Sequence, residues 1–168
     1  MKKVVMVIAH ETFRDEELLE PQAILAKQGI TVSVASTSLS PATGKLGAKV
    51  KPDILLKDVS PDAYDAVVFV GGGGATLYFD DPVAHRLIQD AYAQGKIVAA
   101  ICIAPVILAK AGILKGKRAT CWFEEGDTLT RLGVSFTGAL VEKEGTILTA
   151  NGPAAAKAFA LALVEMLK

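Results

Sequence analysis

The sequence is poor in several residue types that mark specialised protein classes. Its 168 residues include only two cysteines, two histidines and one tryptophan. The two cysteines, Cys102 and Cys121, lack the paired spacing of a metal site, and no secretion signal accompanies them. We therefore expect a cytoplasmic protein in a reducing compartment, with free thiols and no bound metal.

Net charge and long apolar runs are also missing. Eighteen basic and eighteen acidic residues cancel, and no Lys/Arg cluster is present that would neutralise a row of phosphates. The first apolar run, residues 4–9, is too short for a signal peptide or a membrane span. The sequence thus predicts neither nucleic acid nor membrane as a partner. With 51% hydrophobic residues and no repeat or linker, residues 1–168 are expected to form one domain with a substantial core.

Apolar strand-like runs alternate with helix patterns along the chain. The strand-like runs are residues 4–9, 31–35, 66–70, 97–101 and 118–121. The helix patterns cover residues 15–28, 82–94, 104–111 and 154–167. Alternation with short connections predicts an α/β protein of the flavodoxin-like, doubly wound type, with a mostly parallel sheet and helices on both faces. A hairpin pattern over residues 141–147 predicts that the sheet is mixed at one end.

Cys102 lies where the strand-like run 97–101 changes into the helix pattern 104–111. A turn of this kind places the sulfur beyond the carboxyl end of a strand, where a helix N-terminus favours the thiolate. Cys102 is therefore a candidate nucleophile, although a free cysteine is also a common buried residue. Cys121 follows an apolar run and is assigned to the core.

Ligands of doubly wound folds bind beyond the carboxyl ends of the strands. The segments expected at that edge are residues 10–17, 71–74, 102–103, 121–123 and 151–153. The four glycines at 71–74 could expose N–H groups to an anion, but they form an empty tight turn equally well. His10 is either a base at this edge or a polar residue that ends the strand, and His85 is expected at the surface of a helix. The carboxylates at residues 11–17 disfavour FMN.

Three motifs in this order resemble those of the PfpI/ThiJ/DJ superfamily. They are FRDEELLEP at 13–21, VGG at 70–72 and AICIAP at 100–105, and NGP at 151–153 resembles the family's C-terminal part. The resemblance implies that Cys102 is the nucleophile and that Glu17 contacts its sulfur. It also implies that the backbone N–H groups of Gly72 and Ile103 bind an oxyanion. We assign possible pocket lining to His10, Gly73, Trp122 and Asn151.

The departures from the family pattern affect the expected reaction. Peptidase-like members carry a histidine directly after the cysteine, where this chain has Ile103, and other members carry one where this chain has Trp122. A cysteine peptidase needs a base for the thiol and an acid for the leaving amine, so proteolysis is disfavoured. His10 is the only substitute imidazole that we can name near this edge.

The resemblance implies a glutathione-independent glyoxalase or deglycase that acts on small 2-oxoaldehydes such as methylglyoxal. Such an enzyme needs no cofactor and no metal, and the resemblance implies a homo-oligomer of two or more chains. The alternative is an oxidative-stress redox sensor or chaperone in which Cys102 is oxidised to a sulfenic or sulfinic acid. A third hypothesis is peptidase activity in a higher oligomer.

Overall fold

A seven-stranded sheet forms the centre of the protein. The computed structural model describes residues 1–168. The strands are β1 (Lys3–Val7), β2 (Glu11–Phe13), β3 (Thr31–Ser36), β4 (Ala42–Gly44), β5 (Lys49–Val50), β6 (Ile54–Leu55), β7 (Ala66–Phe69), β8 (Ile97–Ile101), β9 (Arg118–Ala119), β10 (Ser135–Phe136), β11 (Val141–Glu144) and β12 (Ile147–Ala150). The helices are α1 (Asp15–Lys27), α2 (Pro82–Ala93), α3 (Pro105–Lys110), α4 (Gly126–Arg131) and α5 (Ala156–Leu167).

The central sheet has the strand order β11-β12-β8-β7-β1-β3-β6. Every neighbouring pair in it is parallel except β11 and β12, which form the antiparallel hairpin. The predicted fold class and the mixed edge of the sheet are therefore confirmed. The strand order reverses between β1 and β7, so the carboxyl ends of these two strands and of β8 border the crevice where this fold binds ligands.

Helices cover both faces of the sheet. Successive residues of β1 point to opposite faces, so Val5 and Val7 belong to one apolar cluster, whereas Val4 and Met6 belong to the other. The first cluster includes the buried residues of α2 and α3, and the second includes those of α1 and α5. None of the helices is long and apolar enough to cross a membrane.

The strand predicted at 118–121 is shorter than expected and lies outside the central sheet. Only Arg118–Ala119 is a strand, and it pairs with β10 in a separate two-stranded sheet. Thr120 cannot extend it, because its backbone N–H donates to Thr149 Oγ1 at 3.0 Å and its hydroxyl donates to the carbonyl of Ala139. In the central sheet, the strand that pairs with β8 on the side away from β7 is β12.

A second small sheet lies beside the carboxyl end of β1 and was missed by the sequence pattern. It consists of β2, β4 and β5. These strands have two or three residues each, too few for a detectable alternation of apolar and polar side chains. This sheet matters for the site, because β2 leads directly into α1 and a loop follows β4.

Candidate active site

Cys102 occupies a strained turn directly after β8. Its backbone φ is 67°, a left-handed conformation that residues other than glycine rarely adopt. Two backbone hydrogen bonds hold it there: Cys102 N–H donates to the carbonyl of Ala150 at 3.0 Å, and Trp122 N–H donates to the carbonyl of Cys102 at 2.7 Å. The turn places the sulfur at the surface of a pocket, and the residue is 8% exposed.

Glu17 lies behind Cys102 and is completely buried. It belongs to the first turn of α1, and its Oε1 accepts the backbone N–H of Gly71 at 2.9 Å. A side chain on Gly71 would not fit, because a Cβ there would lie 2.5 Å from Glu17 Oε1 and 2.6 Å from Cys102 Cβ. Gly71 therefore lets the carboxyl group approach the cysteine.

Two backbone amides converge on the sulfur. The N–H groups of Gly72 and Ile103 lie close enough to the Cys102 side chain to lower the pKa of its thiol in part. Gly72 has a φ of 98°, so a glycine is needed to turn this N–H toward the sulfur. The oxyanion donors expected from the resemblance are therefore close to the cysteine.

The thiol and the carboxyl group are coupled. Burial and, second to it, the charge of Glu17 raise the pKa of Cys102 to about 12, although the two backbone amides lower it in part. Burial also raises the pKa of Glu17 to about 7, against the hydrogen bonds from Cys102 and Gly71, which lower it. The sequence predicts a lowered thiol pKa from the nearby helix N-terminus, whereas burial in the folded protein acts in the opposite direction. Desolvation exceeds the effect of the short helix α3, which begins only at Pro105.

A cavity of about 170 Å³ opens in front of the sulfur. Its lining residues are Arg14, Lys45, Gly72, Gly73, Cys102, Ile103, Trp122 and Pro153. Pockets that hold drug-sized ligands measure about 300–1,000 Å³, so this cavity suits a small molecule. No group of three or more His, Cys, Asp or Glu side chains is arranged to hold a metal ion.

Comparison with known proteins agrees with this geometry. The model of the DJ-1/PfpI family matches residues 2–166. The chain belongs to this family. An uncharacterized protein of Methanocaldococcus jannaschii is 40% identical over 99% of this chain and 82% of its own length. The deglycase PfpI of Pyrococcus furiosus is 32% identical over 99% of each chain.

Two further relatives extend the comparison. The glutathione-independent glyoxalase DJR-1.2 of Caenorhabditis elegans is 29% identical over 99% of this chain and 89% of its own. A crystal structure of a ThiJ/PfpI domain protein from Brachyspira murdochii superposes with a TM-score of 0.96 at 35% identity, over 98% of this chain and 95% of the other. The deglycase and glyoxalase names support an enzyme in general.

Most of the predicted site residues lie together, and two do not. Gly72, Gly73, Cys102, Ile103 and Trp122 line the cavity, with Glu17 behind the sulfur. Asn151 does not line it but borders a neighbouring apolar cavity of about 440 Å³. Trp122 and Pro153 line both cavities.

His10 lies outside the pocket, so its possible role as a base is not supported by geometry. Its Nε2 lies 3.1 Å from the carbonyl oxygen and 3.0 Å from the hydroxyl of Ser40, and its Nδ1 lies 3.6 Å from Glu11. The other histidine, His85, is half-buried, and its Nε2 lies 2.7 Å from the carbonyl of Phe79. The pocket therefore contains no imidazole. Cys121 is buried in the core, as expected.

Sequence reasoning missed two cationic side chains of the pocket. Arg14 stands within the acidic motif, and Lys45 stands in a turn between Gly44 and Gly47. The turn signal at Gly44-Lys45-Leu46-Gly47 is visible in the sequence. Nothing in the sequence places this turn next to Cys102, because the contact depends on the missed sheet of β2, β4 and β5.

Proposed function

We propose that this protein is a cysteine-dependent glyoxalase or deglycase that converts small 2-oxoaldehydes such as methylglyoxal without glutathione. The observation that carries the proposal is the pairing of Cys102 with Glu17. Glu17 Oε2 is buried without a hydrogen-bond partner, and the Cys102 thiol is, after burial, the neighbour with the largest effect on the pKa of Glu17. Such an oxygen is available to carry a proton.

In the proposed reaction, Cys102 Sγ forms a bond to the aldehyde carbon while Glu17 takes the thiol proton. A carboxylate with a pKa of about 7 is suited to this step, because it is partly ionised at neutral pH and basic enough to accept a proton. Glu17 returns the proton to the aldehyde oxygen, and the N–H groups of Gly72 and Ile103 stabilise the charge that develops there.

Glu17 then moves the hydrogen of the former aldehyde carbon to the adjacent ketone carbon as a proton, through an enediol. The product is a thioester of a 2-hydroxy acid on Cys102. Water cleaves this thioester and restores the thiol, so methylglyoxal and one water molecule give lactic acid. The sequence of steps balances without an oxidant, a metal or a cofactor.

The test is lactate formation from methylglyoxal in the absence of glutathione. We expect activity in the unaltered protein and its loss in Cys102→Ser and in Glu17→Gln. Cys121→Ser is the matched control, because it removes the other buried thiol outside the cavity. An unaltered protein that forms no lactate above the blank would contradict the proposal, as would a Cys102→Ser variant that keeps its activity.

The two other hypotheses have less support. A cysteine peptidase uses an imidazole near the thiol to protonate the leaving amine, and both histidines of this chain lie outside the pocket. A redox sensor needs a thiolate, and the raised pKa of Cys102 reduces the thiolate fraction at neutral pH. Intact mass after mild peroxide tests the sensor, and cleavage of casein tests the peptidase. The homo-oligomer stays a prediction, which light scattering checks.

A further inference from the structure

The pocket in front of Cys102 carries an excess of positive charge. Arg14 and Lys45 line it, and no carboxylate is among its lining residues. The charge of Arg14 is balanced, because its Nε lies 2.6 Å from Glu16 Oε2. No carboxylate oxygen lies within ion-pair distance of Lys45. Lys45, an exposed residue without an ion pair, therefore lines a cavity that ends at the reactive sulfur.

The backbone that carries Lys45 is held in place by a buried carboxylate. Asp15, 6% exposed, accepts the N–H groups of Leu46 and Ala48 at 2.8 Å each. Lys45 N–H itself donates to the carbonyl of Phe13 at 2.9 Å. Gly44 lies so close to Asp15 that a Cβ there would be 2.5 Å from its Oδ1. The backbone around Lys45 is thus held by Phe13 and Asp15, which lie in the same segment as Glu17.

The carboxylate of Asp15 binds the loop that carries Lys45 and has no role in the proposed reaction. Burial raises the pKa of Asp15, but the backbone hydrogen bonds from Leu46, Ala48 and Asp15 itself, together with the charge of Arg14, leave the pKa lowered. Asp15 therefore stays ionised and bound to the loop at neutral pH. It forms no ion pair with Lys45.

We propose that this pocket selects 2-oxoaldehydes that carry a carboxylate, and that Lys45 binds the carboxylate while Cys102 adds to the aldehyde. The inference rests on the proposed function and specifies its substrate class. A lysine ammonium group binds a carboxylate as a point charge with three donors. For 4,5-dioxopentanoate, the same steps and one water molecule give 2-hydroxyglutarate, with the distal carboxylate unchanged.

The first experiment measures anion binding at the pocket without turnover. Iodoacetate and iodoacetamide both alkylate a thiolate with loss of iodide, and they differ in that only iodoacetate carries a charge. The alkylation rates of Cys102 are followed by peptide mass, and the ratio of iodoacetate to iodoacetamide cancels changes in thiol reactivity. We expect Lys45→Met to lower this ratio by about threefold, as for one partly exposed charge pair.

Lys49→Met is the matched control. Lys49 is exposed in β5, close in sequence to Lys45, but its Nζ donates to Thr43 Oγ1 and it does not line the cavity. The ratio should stay unchanged in this variant, although the net charge changes equally. An unchanged ratio in Lys45→Met, or an equal fall in both variants, would overturn the inference.

The second experiment compares turnover of 4,5-dioxopentanoate with that of 2-oxopentanal, a neutral aldehyde of the same chain length. We expect a higher kcat/KM for the carboxylate substrate, a preference that falls about threefold in Lys45→Met and weakens as salt is added. Turnover of the neutral substrate alone would overturn the inference and leave the proposed function standing. Turnover of neither would refute the proposed function, and the alkylation ratio would still decide whether Lys45 attracts an anion.

Discussion

Replacing Glu17 by glutamine should stabilise the protein at high pH and change its pH dependence. Glutamine keeps the shape and an oxygen that accepts the N–H of Gly71, but it cannot ionise. Burial raises the pKa of Glu17 from 4.5 to about 7, and each unit corresponds to about 1.4 kcal/mol. The unfolded chain ionises this group more readily than the folded protein does. The folded protein therefore holds the extra proton, and its stability falls as the pH rises from about 4.5 through 7.

The magnitude follows from these two values. Relative to a group whose pKa does not change on folding, Glu17 lowers the free energy of unfolding by about 3 kcal/mol at pH 8 and by about 1 kcal/mol at pH 5. The free energy of unfolding of Glu17→Gln, measured by urea at 25 °C and one protein concentration, should gain about 2 kcal/mol relative to the unaltered protein between these two pH values.

Glu20→Gln is the control for this experiment, because it removes an exposed carboxylate from the same helix. Its difference from the unaltered protein should show no comparable slope between pH 5 and pH 8. If the difference for Glu17→Gln is also independent of pH, the carboxyl group ionises normally in the folded state. The reasoning about Glu17 as a proton carrier would then be wrong.

Three further substitutions test the supports of the site. Gly71→Ala should lower the free energy of unfolding by about 1–3 kcal/mol and slow the alkylation of Cys102, because the new methyl group would overlap Glu17 and Cys102. Unchanged stability and alkylation rate would contradict this packing argument. Asp15→Asn should lower the free energy of unfolding by about 1–3 kcal/mol at pH 7, because it weakens two hydrogen bonds to backbone N–H groups. This loss should be smaller in acid, where the carboxylate of the unaltered protein is protonated. Urea unfolding at several pH values measures the difference. Tyr78→Phe should cost about 1 kcal/mol, because the buried hydroxyl donates to the carbonyl of Ile8 at 2.7 Å; an unchanged urea midpoint would show that this bond adds nothing.

The inner strands β1, β7 and β8 of the central sheet were predictable from the sequence because they are apolar on both faces. Residues 66–70 and 97–101 are continuous apolar runs, and both match buried parallel strands, β7 and β8. The helix bounds are also close, since α1 and α2 each end one residue before the predicted limit. These strands and helices can be recognised in the sequence because each pattern extends over several consecutive residues.

The short elements around the site were not predictable by the same argument. β2, β4 and β5 depend on hydrogen bonds between segments far apart in sequence, such as that from Thr43 N–H to the carbonyl of His10. The position of Lys45 depends on those bonds, so no local pattern assigns it to the pocket. The sequence motif did identify Glu17 and Cys102 as partners, and the structure brings their side chains together.

The pKa values show why the motif alone could not assign protonation states. A strand-to-helix turn favours a thiolate when the helix is long and the sulfur is exposed. Here α3 has six residues, Cys102 is buried, and the nearest charge is the carboxylate of Glu17. Each of these three facts depends on tertiary packing, and all of them act against the thiolate.

The lack of an imidazole in the pocket limits the chemistry that this cysteine can perform. A thiolate and an imidazolium ion would supply both a nucleophile and an acid strong enough to protonate a leaving amine. Burial raises the pKa of Cys102 and so favours a proton on the resting sulfur, which the carboxylate of Glu17 can take as the sulfur attacks. An aldehyde suits this arrangement, because its addition step has no leaving group and its own oxygen accepts the proton. The same carboxyl group can then move a proton between adjacent carbons, a step for which a pKa of about 7 allows both uptake and release.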